Sequence, residues 1–259
     1  MKKFFVCALA ALSFTACVNE DGLLSESKGY INLNVNTDNE MVVTRADNQT
    51  VTDLSKWYVT VSPETVGNTA AGSTTTTGQI TANGLAAKSF KAGGYKIDVQ
   101  SHTSEDAAYS GAGEAYYEGT TSQAIAKGTN TVTVSCGKAK NCRVKADISG
   151  LADFTQITDL KITASQDGRS DYDFTSTSTA YFYAVKDISY TIRYKYNGED
   201  KSTNAKTISS PAAATEYQII VKTNENGTIQ LTITYDDVFA DGTDENITID
   251  AATGTEVTE

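Results

Sequence analysis

The chain has 259 residues, one His, two Pro and four Cys, and 21 Lys and Arg against 32 Asp and Glu give a formal net charge of −11. So acidic a surface repels phosphate backbones over long range, and no nucleic-acid partner is expected. Hydrophobic residues make up 39% of the chain, enough to pack cores and to exclude disorder, while 38 Thr against 10 Leu favour strands over helices and point to an all-β body of one or two domains.

The first element is a leader. Lys2 and Lys3 precede the uncharged, mostly apolar run Phe4 to Ala16, which is too short to span a bilayer as a stable helix and ends in a small residue, the pattern of a secretory signal. The ending Phe14-Thr15-Ala16-Cys17 resembles the lipobox of bacterial lipoproteins, with Phe14 where Leu is commonest. That resemblance implies cleavage between Ala16 and Cys17, acylation of Cys17 and attachment to the outer membrane; several acyl chains, at about 0.8 kcal/mol per buried CH₂, hold such an anchor durably. The cluster Val18-Asn19-Glu20-Asp21 looks like the export signal that places Bacteroides-type lipoproteins on the cell surface.

Strands follow along the rest of the chain. Apolar and polar residues alternate at Tyr30 to Val35, Trp57 to Val61, Tyr95 to Val99 and Thr131 to Val134. A second set lies at Cys142 to Ile148, Leu160 to Ala164, Ala180 to Val185, Ile188 to Tyr196, Tyr217 to Val221 and Ile229 to Tyr235. A period of two puts one face on a core and the other in water. Turns are expected at Asn83-Gly84, Gly93-Gly94, Lys127-Gly128, Asp167-Gly168, Asn197-Gly198 and Asn226-Gly227, because Gly and Asn tolerate the positive φ that hairpins need. The stretch Gly67 to Gly78, with four consecutive Thr, reads as an exposed loop open to proteolysis. The pattern pauses around Gly137 to Asn141. Together these signals divide the chain into a signal peptide (1–16), a lipidated Cys with a flexible tether (17–28), an N-terminal sandwich (29–138) and a C-terminal sandwich (139–259) with an acidic last strand or tail.

Three blocks, Ala92-Gly93-Gly94-Tyr95-Lys96-Ile97-Asp98-Val99-Gln100-Ser101-His102, Ala115-Tyr116-Tyr117-Glu118-Gly119 and Thr131-Val132-Thr133-Val134-Ser135-Cys136, closely resemble an uncharacterised family of Bacteroidales surface lipoproteins. That family is similar to the fimbrillins, two-sandwich pilins of anaerobic bacteria. The resemblance implies two tandem antiparallel β-sandwich domains, immunoglobulin-like or transthyretin-like and fimbrillin-like, behind a lipoprotein signal. It implies a structural or adhesive surface subunit whose partners are other fimbrial subunits, or copies of itself joined by strand exchange. It also singles out Met41-Val42-Val43-Thr44-Arg45-Ala46-Asp47, because fimbrillins are matured by an Arg-specific protease in such a segment. A cut between Arg45 and Ala46 would remove Tyr30 to Val35 and open a groove for a donated strand.

The remaining residues give little chemistry. His102 is the only histidine and no nucleophile elbow occurs, so no catalytic residues are assigned and the protein is not expected to be an enzyme. Gly111-Ala112-Gly113 lacks the third Gly of a nucleotide loop, and one His with two spare Cys is too few for a typical zinc site, so no cofactor or metal is expected. Asp171 and Asp173 share a strand face and read as an exposed acidic edge rather than a glycosidase pair. Asp237, Asp241, Asp244 and Glu245 could offer oxygen ligands to Ca²⁺ but lack the spacing of an EF-hand loop. Within the acidic C-terminus, Asn246 to Asp250 alternates as a strand that completes the second sandwich or is donated elsewhere. An extended chain from Cys136 to Cys142 spans about 20 Å, so a disulfide needs a turn between them, and Cys136 is expected in the core. The alternative function is a monomeric glycan-binding lipoprotein, with Tyr109, Tyr116, Tyr117, Tyr181 and Tyr183 as an exposed platform; burial at strand positions accounts for the same residues without a ligand.

Overall fold

A computed structural model describes residues 28–38, 49–51, 53–73, 75–150, 156–223, 229–236 and 245–257. The leader, Cys17, Arg45-Ala46, the Asn226-Gly227 turn and Asp237, Asp241 and Asp244 lie outside these residues.

The first half forms β1 (Lys28–Thr37), β2 (Gln49–Thr50), β3 (Tyr58–Pro63), β4 (Ile80–Thr81), the one-turn helix α1 (Ala82–Leu85), β5 (Phe90–Lys91), β6 (Gly93–Gln100), β7 (Glu118–Ile125) and β8 (Gly128–Gly137). One sheet runs β4-β3-β6-β7, antiparallel throughout. In the other, β1 lies parallel to β8 from Gly29–Gly128 to Thr37–Gly137, while β5 and β2 pair only with the two ends of its opposite edge, at Lys28–Gly29 and Asn36–Thr37. Alternation decides which side chains face inward: Ile31, Leu33 and Val35 from β1 meet Val59 and Val61, Tyr95, Ile97 and Val99, and Val132 and Val134 in one buried cluster.

The second half forms β9 (Cys142–Gly150), β10 (Ile157–Gln166), β11 (Arg169–Phe174), β12 (Ser178–Phe182), β13 (Ile188–Tyr196), β14 (Glu199–Ser202), β15 (Lys206–Ile208), β16 (Glu216–Thr223), β17 (Ile229–Asp236) and β18 (Glu245–Ile249). Its sheets run β11-β10-β13-β14, with β15 also on β13, and β12-β9-β16-β17-β18. They enclose a second cluster built on Val144, Ile162, Phe174, Phe182, Tyr190, Ile192 and Ile219. The ladders are antiparallel except β1·β8 and β9·β16, so the first strand of each half pairs in parallel with a strand late in that half. β18 completes the second sheet, and Ile249 is buried there.

Two of the expected turns are something else. Asn83-Gly84 lies inside α1, because the Thr81 hydroxyl caps the turn by accepting the Gly84 N–H at 3.1 Å. Gly93-Gly94 begins β6: a Cβ on Gly93 would lie 2.1 Å from Gly72 Cα, and one on Gly94 would lie 2.2 Å from the Glu64 carbonyl oxygen. These glycines allow close backbone approach. The 67–78 loop crosses here, with Gly94 N donating to Ala70 O and Thr77 Oγ1 accepting from Val61 N, so it is tied to both strands while its tip stays exposed. Asn197-Gly198 is the expected hairpin turn, with φ of 50° and 85° between the paired Tyr196 and Glu199.

Candidate functional site

Two regions carry the unusual geometry. In the first, β1 is held along β8 by nine registered residue pairs and inserts Ile31, Leu33 and Val35 into the core, at 2%, 8% and 0% exposure. On its other edge, residues 30–34 have no ladder partner among the described residues. The β7–β8 turn beside it is locked by Asn130, whose amide donates to Ala126 O and Gly128 O, each at 2.9 Å, and to Tyr30 O at 3.3 Å. β1 is therefore a deeply seated strand secured mainly by one neighbour.

The second region joins the two cores. The segment between β6 and β7 leaves the first sandwich and docks on the second: Tyr181 N donates to Ala112 O, Arg169 Nη2 donates to Gly111 O at 2.7 Å, and the Tyr183 hydroxyl donates to Asp106. The Tyr109 and Tyr183 rings lie 4.0 Å apart. Asn141, fully buried in the turn between β8 and β9, accepts the Tyr116 N–H at 3.0 Å and donates to Glu114 O at 2.9 Å, and its own carbonyl takes the Ala214 N–H. Sequence reasoning missed Asn141; a lone Asn in a turn carries no signal of burial.

Of the tyrosines expected as an exposed platform, Tyr109, Tyr181 and Tyr183 lie at this joint, Tyr116 is bound there through its N–H to Asn141, and Tyr117 packs inside the first core against Trp57. Tyr109, Tyr116, Tyr117 and Tyr183 are buried, and Tyr181 packs against the first core, because aromatic area at a strand end is better covered by packed side chains than by water. Burial raises the phenols of Tyr109 and Tyr116 above their ordinary value and pushes Tyr183 up to about 12.

Ser101, His102 and Glu114 have the composition of a hydrolytic relay without its exposure. Ser101 Oγ lies 2.9 Å from His102 Nδ1 and accepts the Tyr117 N–H at 2.9 Å, while the residue is 6% exposed. His102 Nε2 lies 3.5 Å from Glu114, whose other oxygen takes Lys56 Nζ at 2.8 Å. Burial holds the imidazole below its usual value, and the hydrogen bond from Lys56 holds Glu114 below the usual carboxylate range. The set closes the 101–117 segment on itself, from Ser101 to Ala115 and Tyr117, and ties it to Lys56 through Glu114. Cys136 and Cys142 are free and buried, each thiol pushed up to about 12 by desolvation, so neither is a ready nucleophile. Asp173 is bound to Lys161 Nζ and Thr163 Oγ1, both at 2.6 Å, which leaves it spoken for on the edge it shares with Asp171. Among the described residues, no group of three His, Cys, Asp or Glu side chains could hold a metal ion.

The fold defines a two-sandwich, all-β protein with a parallel first strand in each half. The chain belongs to the family described as Domain of unknown function (DUF4493), which matches residues 27–251. The sequence blocks now have physical roles: Ser101 from the first block binds Tyr117 from the second, and a Cβ on Gly119 would lie 2.9 Å from Cys136 Sγ of the third. No curated protein matches the chain by sequence. Among solved structures it is similar to a candidate cell adhesion protein from Bacteroides ovatus, with 11% identity over 81% of this chain and 96% of that one at a TM-score of 0.44. It is also similar to a fimbrial assembly protein from Parabacteroides distasonis, with 8% identity, 82% and 98% coverage and a TM-score of 0.43. A candidate adhesin from Bacteroides thetaiotaomicron gives 13% identity, 83% and 98% coverage and a TM-score of 0.40.

Proposed function

We propose that the protein is a non-catalytic, fimbrial-type structural or adhesive subunit, anchored to the outer membrane through lipid on Cys17 and displayed at the cell surface. Its domains are 29–138 and 139–259, and its partners are other fimbrial subunits or further copies of itself. The observation that carries this reading is the seating of β1. A strand bound along one edge, and tied on the other only at its ends among the described residues, can leave without dismantling the opposite sheet. Its departure uncovers a slot lined for three alternating apolar side chains and an unpaired β8 edge, which a strand of matching pattern from another subunit satisfies. The three side chains hold β1 in place by roughly 5–9 kcal/mol of burial, so release requires a cut in the connection to β2, where Arg45-Ala46 lies.

The test treats the purified protein with an Arg-specific protease and reads the new N-terminus and the unboiled gel. Cleavage before Ala46 with a ladder of oligomers is expected. A protein cut there that stays monomeric and keeps its N-terminal fragment bound would refute strand exchange and leave an unpolymerised surface subunit.

A further inference from the structure

The outer face of the β4-β3-β6-β7 sheet carries a groove of about 500 Å³ whose chemistry the strand-exchange reading does not use. Strand register places Tyr58, Gln100 and Glu118 in one rung across β3, β6 and β7, and Thr60, Asp98 and Thr120 in the next. With strands about 4.8 Å apart and alternate residues about 6.8 Å apart, the two rungs make a platform about 10 Å by 7 Å.

Its polar groups are held from behind with one side left free. Gln79 Nε2 donates to Gln100 Oε1 at 3.1 Å and to Thr103 O at 2.8 Å, and the Gln100 NH₂ has no partner among the described residues. The buried Tyr116 hydroxyl donates to one Glu118 oxygen at 3.3 Å, and Lys96 Nζ lies 3.0 Å from one Asp98 oxygen. The second oxygen of each carboxylate has no hydrogen-bond partner among the described residues. Half-buried Tyr58 stands at the end of the first rung. The concavity on the outer face of the second sandwich is different. There Lys195 pairs with Asp159, Lys161 with Asp173 and Lys201 with Glu199, three ion pairs, whereas in the first groove Asp98 is paired with Lys96 and Glu118 makes no ion pair among the described residues.

We infer that the Tyr58–Gln100–Glu118 groove binds a neutral, hydroxyl-rich saccharide. Planar carboxylate and amide groups accept from and donate to neighbouring hydroxyls, and an aromatic ring covers the C–H face of a sugar. The platform has room for about two sugar rings. Glu118, which makes no ion pair among the described residues, and the net charge of −11 disfavour sialylated or sulfated chains, against Lys140 as the cation of the lining. Tyr116 serves here only to orient Glu118, and β1 lies in the other sheet, so the site does not depend on strand exchange.

The test titrates the purified protein with maltopentaose, mannopentaose, xylopentaose and lacto-N-tetraose by calorimetry, with sialyllactose as the acidic comparison. At least one neutral oligosaccharide is expected to bind. Tyr58→Ala and Glu118→Ala each weaken that binding roughly 5- to 10-fold, and Lys195→Ala in the second concavity leaves it unchanged. Glu118 is exposed, so its variant keeps the fold and decides the matter if Tyr58→Ala melts early. Absence of neutral binding at millimolar sugar, equal affinity in the Glu118 variant, or preference for sialyllactose overturns the inference.

Discussion

Replacing Asn141 by Ala tests whether the joint between the sandwiches is a structural lock. The side chain is fully buried and satisfies two backbone groups, the Tyr116 N–H at 3.0 Å and the Glu114 carbonyl at 2.9 Å. Alanine leaves both without a partner, and each unsatisfied buried group costs about 1–3 kcal/mol, so the loss amounts to about 2–6 kcal/mol. For a protein of this size that is a fall in Tm of roughly 4–24 °C. Asn141→Asp is the sharper variant: it keeps the acceptor for Tyr116 but turns a carboxylate oxygen toward the Glu114 carbonyl, and should be at least as damaging. Urea denaturation gives the free energy, and hydrogen exchange at the Tyr116 amide reports the lock directly. A loss below 1 kcal/mol with Tyr116 still protected would refute the reasoning.

Three further outcomes follow from local geometry. Gly93→Ala places a methyl 2.1 Å from Gly72 Cα at φ 154°, so a destabilisation of about 2 kcal/mol or more is expected in urea melts, against near-neutral behaviour for alanine at Gly78, which has open space. Cys136 and Cys142 should resist iodoacetamide at pH 8 in the native protein and react once it is unfolded; rapid native labelling would contradict their burial. Because folding raises both thiol values, their contribution to stability is complete below about pH 8.5 and declines as pH rises toward about 12, and Cys142→Ala should flatten that alkaline decline. At the other end of the scale Asp173 is held low by Lys161 and Thr163, so its small contribution is present above about pH 4 and lost as pH falls through its folded value, an acid-side effect that Asp173→Asn removes.

The strands legible in the sequence are those with one face in a core. Ile31, Leu33 and Val35, or Ile188, Tyr190 and Ile192, repeat at a period of two because burial selects every second residue. β7 escaped notice because it buries only Ile125 and otherwise offers Thr, Ser and Gln to water, so pairing with β6 rather than burial makes it a strand. The Gly pair at 93–94 carries the composition of a turn, yet its need is for space beside Gly72, which no local pattern reveals. Tyr109, Tyr181 and Tyr183 were readable as aromatic wealth but not as a joint, since covering them requires the facing sandwich, whereas Tyr117 is buried by its own core against Trp57. The groove around Gln100 and Glu118 was equally hidden: its members are scattered along the chain and meet only through register.

The parallel pairing of β1 with β8 also fixes how the protein bears load. A pull on the start of β1 at Lys28, opposed by the second sandwich beyond Gly137, runs along both strands in opposite directions. Hydrogen bonds across the ladder then face shear together, whereas a hairpin pulled at its open end parts rung by rung. The nine-residue register from Gly29 to Thr37 shares that tension, and so would any strand that took β1's place in the same direction. Load along the strand axis is therefore shared by the whole β1·β8 ladder, whereas load across it is met one bond at a time.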